Sequence, residues 1–177
     1  MDKYIDLVIP RGSNAFVRYV MEHTRIPVIG HADGICAVYI DASANVDMAL
    51  RIAVDSKTQY PAACNAAETF LVHKDIAPEF LPRLAARFSE LGVKVHADDT
   101  AMVYMPEAQK AVPSDFDTEF LSLECAVKVV SSIDEAIEHI AEHSSHHTDA
   151  IVTGSEESKR FFFQNVDSAD VFCNCST

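Results

Sequence analysis

The 177-residue sequence has no run of 18 or more apolar residues, which excludes a transmembrane helix on length. Its opening, Met1-Asp2-Lys3-Tyr4-Ile5-Asp6, is charged and lacks the apolar core of a signal peptide, so the chain reads as intracellular and cytoplasmic. Basic residues are scarce: 14 Lys and Arg stand against 27 Asp and Glu, for a net charge of −13 and a pI near 4.8. No Lys/Arg cluster relieves that balance, which argues against nucleic acid as a partner. A phosphorylated substrate or a dinucleotide would have to be held by local groups against a repulsive global field. Glycines number only five and no GxGxxG occurs, so no complete Rossmann fingerprint is present. The five cysteines are odd in number and form no CxxC, which argues against a zinc site, a thioredoxin-like motif and a disulfide framework. Cys36, Cys125 and Cys173 lie in apolar strand-like runs and read as buried filler.

What is present alternates between two periods. Ile5–Ile9, residues 35–40, 69–73, 93–95, 125–130, 150–153 and 171–173 read as strands. Between them lie helical stretches at about 14–22, from Ser43 or Asn45 onward, from near Pro82 to Gly92, from Ser132 through Ala141, and from Ser155 to Asn165. Pro82 lacks a backbone donor, which predicts that the third helix starts close to it. Ser132 and Glu135 have capping-box spacing, and Ile133, Ala136, Ile137, Ile140 and Ala141 define the apolar face that follows. Residues 97–118, with Pro106 and Pro113, read as loop with a short helix. Strand–helix alternation predicts an α/β fold with a mainly parallel sheet flanked by helices.

Cys64 carries the chemistry. It sits in Tyr60-Pro61-Ala62-Ala63-Cys64-Asn65-Ala66-Ala67-Glu68-Thr69, after a helix and before a strand. Small residues around one thiol leave room for a substrate carbonyl, and thiolate attack divides a hard acyl transfer into two easier steps. Cys64 should therefore lie on a loop at the edge of the domain. The plain alternative is a small hydrophobe filling a gap.

Three stretches resemble one family: residues 5–13 (Ile5 through Arg11-Gly12-Ser13), residues 60–73, and residues 130–151 with His139, His143 and His147-Thr148-Asp149. The chain looks like part of a gamma-glutamyl phosphate reductase, or glutamate-5-semialdehyde dehydrogenase, in the aldehyde dehydrogenase superfamily. Gly30-His31-Ala32-Asp33-Gly34-Ile35-Cys36 also resembles the reductase half of bifunctional delta-1-pyrroline-5-carboxylate synthases. The resemblance implies that residues 1–30 are the last strand and helix of a cofactor-binding domain. Residues 31–177 would then be the cysteine-bearing catalytic domain, truncated at its C-terminal end and cut from a larger two-domain enzyme. No general-base glutamate of the hydrolytic dehydrogenases is evident near Gly30-His31.

The implied activity is NADPH-dependent reduction of L-glutamyl 5-phosphate to glutamate 5-semialdehyde through a cysteine thioester, in proline biosynthesis. Glutamate 5-kinase, separate or fused, is the implied partner, and the full-length enzyme is expected to be a homo-oligomer. Cys64 is the implied nucleophile. Asn65 either offers a backbone amide to the oxyanion or only shapes the loop. Arg11-Gly12-Ser13 either faces the cofactor, as helix starts suit phosphate, or is a plain turn with Ser13 as N-cap. Glu119 matches a superfamily glutamate that contacts the nicotinamide ribose, or is a surface acid. His139 and His143, four apart, read as helix-surface histidines rather than metal ligands. In Phe161-Phe162-Phe163 one ring is expected to stay exposed. Two other readings remain: a different acylating aldehyde dehydrogenase, or a non-catalytic α/β module.

Overall fold

A computed structural model describes residues 3–30 and 33–177. The chain divides into two compact units, Met1–Gly34 and Ile35–Thr177. The boundary expected after residue 30 falls beside residues 31 and 32, which lie outside the described residues.

The first unit holds α1 (Asn14–His23), capped by the Ser13 hydroxyl, which accepts from the Phe16 amide. Ile5–Ile9 does not form the strand its pattern predicts. Only Val8 bridges a neighbour, Val28, in parallel. Pro10 and Pro27 flank the bridge and have no amide with which to extend it. Within this unit α1 buries only Val17, while Ile9, Phe16, Tyr19 and Ile29 stand exposed.

The second unit is built on seven strands: β1 (Cys36–Ile40), β2 (Ala67–His73), β3 (Lys94–Ala97), β4 (Gln109–Lys110), β5 (Glu124–Val130), β6 (Thr148–Val152) and β7 (Asp170–Cys173). Their order across the sheet is β4-β3-β5-β2-β1-β6-β7, and every pairing is parallel. Alternation along β1 sorts the core into two layers. Val38 and Ile40 face α2 (Val46–Thr58) and α3 (Ala77–Glu90), whose Ala49, Ala53, Phe80, Leu81, Leu84 and Phe88 are buried there. Ala37 and Tyr39 face the opposite layer, where α4 (Ile133–His143) and α5 (Glu156–Asn165) bury Ala136, Ile140 and Phe162.

Asn45, rather than Ser43, caps α2 by accepting from the Met48 amide. Pro82 lies inside α3 instead of opening it. Its missing amide deprives the Pro78 carbonyl of its intrahelical donor, at a cost of about 3 kcal/mol. Four fully buried side chains on the same helix, Phe80, Leu81, Leu84 and Phe88, contribute about 1.5–3 kcal/mol each and outweigh it. Ser132 caps α4 as expected, but Glu135 reaches one residue further back, to the amide and hydroxyl of Ser131. The α4 face is also rotated: Ala141 is exposed and His139 takes the inward place. Phe161 and Phe163 are both exposed, so two rings of the triplet face outward rather than one.

Candidate active site around Cys64

A parallel sheet sets the starts of all its strands along one edge, so the loops entering β1, β2, β5 and β6 gather at the same end. The loop entering β2 carries Cys64. Two tight turns shape it: the Ala63 amide donates to Tyr60 and the Ala66 amide to Ala63, both at 3.0 Å. Cys64 is exposed on that loop, at the edge of its unit. Its carbonyl accepts a hydrogen bond from the Cys36 thiol at 3.3 Å. Burial pushes the Cys36 thiol far up, with Asp149 adding to the effect, so it stays a protonated donor. Burial likewise pushes Cys125 up to about 12. Both read as inert filler, whereas Cys173 is only half-buried.

Asn65 spends its side chain on structure. Its Nδ2 donates to the Thr177 carbonyl at 3.1 Å, and the Thr177 amide donates to Ser56 on α2 at 3.3 Å. The backbone amides of Cys64 and Asn65 are spent in neither of the two turns.

The base of the loop is closed by a pair that sequence reasoning missed. Lys57, near the end of α2, donates to Glu68 Oε2 at 2.6 Å, and both side chains are fully buried. β2 begins at Ala67, two residues earlier than its pattern predicts, which carries Glu68 into the sheet. Burial pushes the Glu68 carboxyl up, to about 7, against the pull of Lys57. The sequence shows only a lysine four residues short of Pro61 and an acid four residues past Cys64, with nothing local to mark either as buried.

Glu119 is half-buried on the loop entering β5. Neighbouring contacts fix that loop: the Thr118 hydroxyl donates to Ser114 at 2.6 Å, Phe120 lies 5.2 Å from the His96 ring, and the Leu121 amide reaches Glu68 Oε1 at 3.4 Å. His96 itself joins Asp115 and Glu124, at 3.0 and 2.7 Å. In the first unit, Arg11, Gly12 and Ser13 are exposed at the start of α1. A Cβ on Gly12 would come within 2.8 Å of the Phe16 ring, so this turn is confined to glycine.

The histidine stretch resolves differently. His139 is buried rather than on the surface, its ring tilted 4.3 Å from that of His143 and edge-on 5.1 Å from that of Phe116. Burial, then the nearby charges of His143 and Lys128, hold it down to about 3. Among the described residues no three His, Cys, Asp or Glu side chains lie close enough to hold a metal ion. Asp149 is a staple: it accepts from the Ala37 amide and from the hydroxyls of Ser144 and Ser168, tying β1, the end of α4 and the loop before β7. Among the described residues no helix is long and apolar enough to cross a membrane.

The family model described as the aldehyde dehydrogenase family matches residues 1–112, which include Arg11–Ser13, Cys64 and Asn65. The chain belongs to the aldehyde dehydrogenase family. It is 52% identical over all 177 residues to a gamma-glutamyl phosphate reductase from a Nostoc species and 55% identical to one from Acetivibrio thermocellus. In each case it spans about 41% of the relative's length. The crystal structure of a gamma-glutamyl phosphate reductase from Thermotoga maritima superposes on 98% of the chain with a TM-score of 0.96 at 37% identity, over 42% of that structure.

Proposed function

We propose that this chain supplies the nucleophile of an NADPH-dependent gamma-glutamyl phosphate reductase in proline biosynthesis. The observation that carries the reading is the exposed Cys64 on a small-residue loop, in a chain about half identical to reductases of that name. Cys64 Sγ attacks the acyl carbon of L-glutamyl 5-phosphate. A C–S bond forms, the C–O bond to phosphate breaks, and phosphate leaves with that electron pair. The amides of Cys64 and Asn65 stabilise the oxyanion as charge develops on the carbonyl. When bound, NADPH supplies the hydride that reduces the thioester. Cys64 then leaves as thiolate and glutamate 5-semialdehyde is released.

Arg11, Gly12 and Ser13 would hold a cofactor phosphate, since they stand exposed at the start of α1, where the helix dipole favours an anion. Glu119 would accept from the nicotinamide ribose. We assign the segment up to residue 30 to a cofactor-binding domain and the remainder to the catalytic domain. The apolar side chains exposed on the first unit support its membership of a larger domain. Glutamate 5-kinase is the enzyme that must furnish the acyl phosphate, the full-length reductase is a cytoplasmic homo-oligomer in this reading, and no metal takes part.

The test is phosphate- and NADP+-dependent oxidation of glutamate 5-semialdehyde by a full-length protein carrying this chain. Cys64→Ala should abolish it. Cys36→Ala removes only a weak S–H bond to the Cys64 carbonyl and should retain most activity. Substantial turnover by Cys64→Ala would end the proposal.

A further inference from the structure

Glu68 lies between the two loops that the proposed chemistry uses. One of its oxygens meets Lys57, which leads into the Cys64 loop from α2, so the pair ties the two ends of that loop together. Its other oxygen accepts from the amide of Leu121, two residues past Glu119. The Glu119 carboxylate is near enough to repel the Glu68 charge. Leu121 has φ 55°, in the left-handed region that a leucine seldom occupies. Such a backbone persists only where its surroundings over-determine it. The buried Glu68 carboxylate is one such anchor, and the Lys57 ammonium keeps that carboxylate from turning away.

We propose that Glu68 is a positioning residue, closing the base of the Cys64 loop through Lys57 and holding the Leu121 amide so that Glu119 is presented to the cofactor. This rests on the function proposed above, in which Glu119 meets the nicotinamide ribose. Glu68 is fully buried and touches no reactant; it acts through its neighbours. A pair kept only for folding would be replaceable by two apolar residues of similar volume, with no effect beyond the pair itself. A positioning pair would not.

Two variants separate these roles. Glu68→Gln removes the charge alone. Lys57→Met combined with Glu68→Leu removes both charges together and keeps a fold in which Lys57 is not left unpaired. In the 177-residue chain, either should speed hydrogen exchange at the Leu121 amide at least tenfold, with the amides of Val38 and Tyr39 in β1 unchanged. In a full-length protein carrying this chain, the double variant should raise KM for NADPH at least fivefold. With Glu119→Gln already present, the double variant should change KM for NADPH by less than twofold further, because both act through one loop. An unchanged Leu121 exchange rate, or full additivity with Glu119→Gln, would overturn the proposal. If Glu119→Gln alone leaves KM for NADPH unchanged, the cofactor role of Glu119 fails instead, and Leu121 exchange alone decides whether Glu68 anchors the loop.

Discussion

His139 should cost this protein stability in mild acid, before most carboxylates protonate. The imidazole is 5% exposed and its Nε2 has no hydrogen-bond partner. Lys128 Nζ lies 3.5 Å from its other nitrogen, the His143 ring packs against it at a tilt, and Asp117 and Glu135 are the acids that face it. Asp98 and Asp99 line the same cleft. Burial holds the folded group down to about 3, while the unfolded chain returns it to about 6.5. Between those values the unfolded state binds the extra proton, so stability is full above about pH 6.5 and falls as the pH drops. At pH 5 the unfolded histidine is almost wholly charged and the folded one almost wholly neutral, a difference of about 2 kcal/mol relative to pH 8. Urea unfolding at pH 8, 6.5 and 5 isolates that loss by comparing the parent chain with a His139 variant, because Glu68, its carboxyl raised to about 7, contributes in the opposite sense to both. His139→Phe keeps a ring beside Phe116 and His143 but cannot titrate. Its loss between pH 8 and pH 5 should be smaller by about 2 kcal/mol. Equal losses in the two proteins would show that His139 takes up its proton without unfolding.

The 177-residue chain alone should bind NADPH too weakly for calorimetry to detect. One helix start at Arg11–Ser13 offers about one phosphate contact against an association cost of at least ~4 kcal/mol; saturable micromolar binding would show that the cofactor site is misplaced. In the same chain iodoacetamide should modify Cys64 ahead of Cys36 and Cys125, which are buried. Dialysis of a full-length protein carrying this chain against a strong chelator should leave its activity and melting temperature unchanged, and a clear loss of either would direct attention back to His139 and His143.

The fold was legible where periodicity was strong. Strands of a parallel sheet covered on both faces read as continuous apolar runs, and Cys36–Ile40 and Glu124–Val130 stand close to where such runs place them. Ile5–Ile9 has the same pattern but meets a single bridging neighbour among the described residues, because prolines bound the pairing. Pro82 misled for the opposite reason: burial of four large side chains overrides a local helix breaker, and nothing local to Pro82 reveals that burial. His139 and Glu68 were missed together. A polar residue predicts exposure unless its partner is known. The partner of Glu68 is eleven residues away across a loop, and the neighbours of His139 come in part from the 3-10 turn of Pro113–Asp117. Cys64 stood out in the sequence because its loop is local, and so did the turn at Arg11–Ser13. The anchoring of Glu119 by Leu121 and Glu68 depends on strand order, which brings β5 beside β2.

The central claim is that Cys64 carries the acyl group. A full-length protein carrying this chain, given L-glutamyl 5-phosphate without NADPH, should release phosphate and retain the glutamyl group. After digestion with trypsin, peptide 58–74 contains Cys64 as its only cysteine. Mass spectrometry should find the glutamyl adduct on that peptide, labile to hydroxylamine as a thioester is, and should find none in Cys64→Ala. Phosphate release with the adduct on another peptide, or with the same adduct formed in Cys64→Ala, would contradict the account.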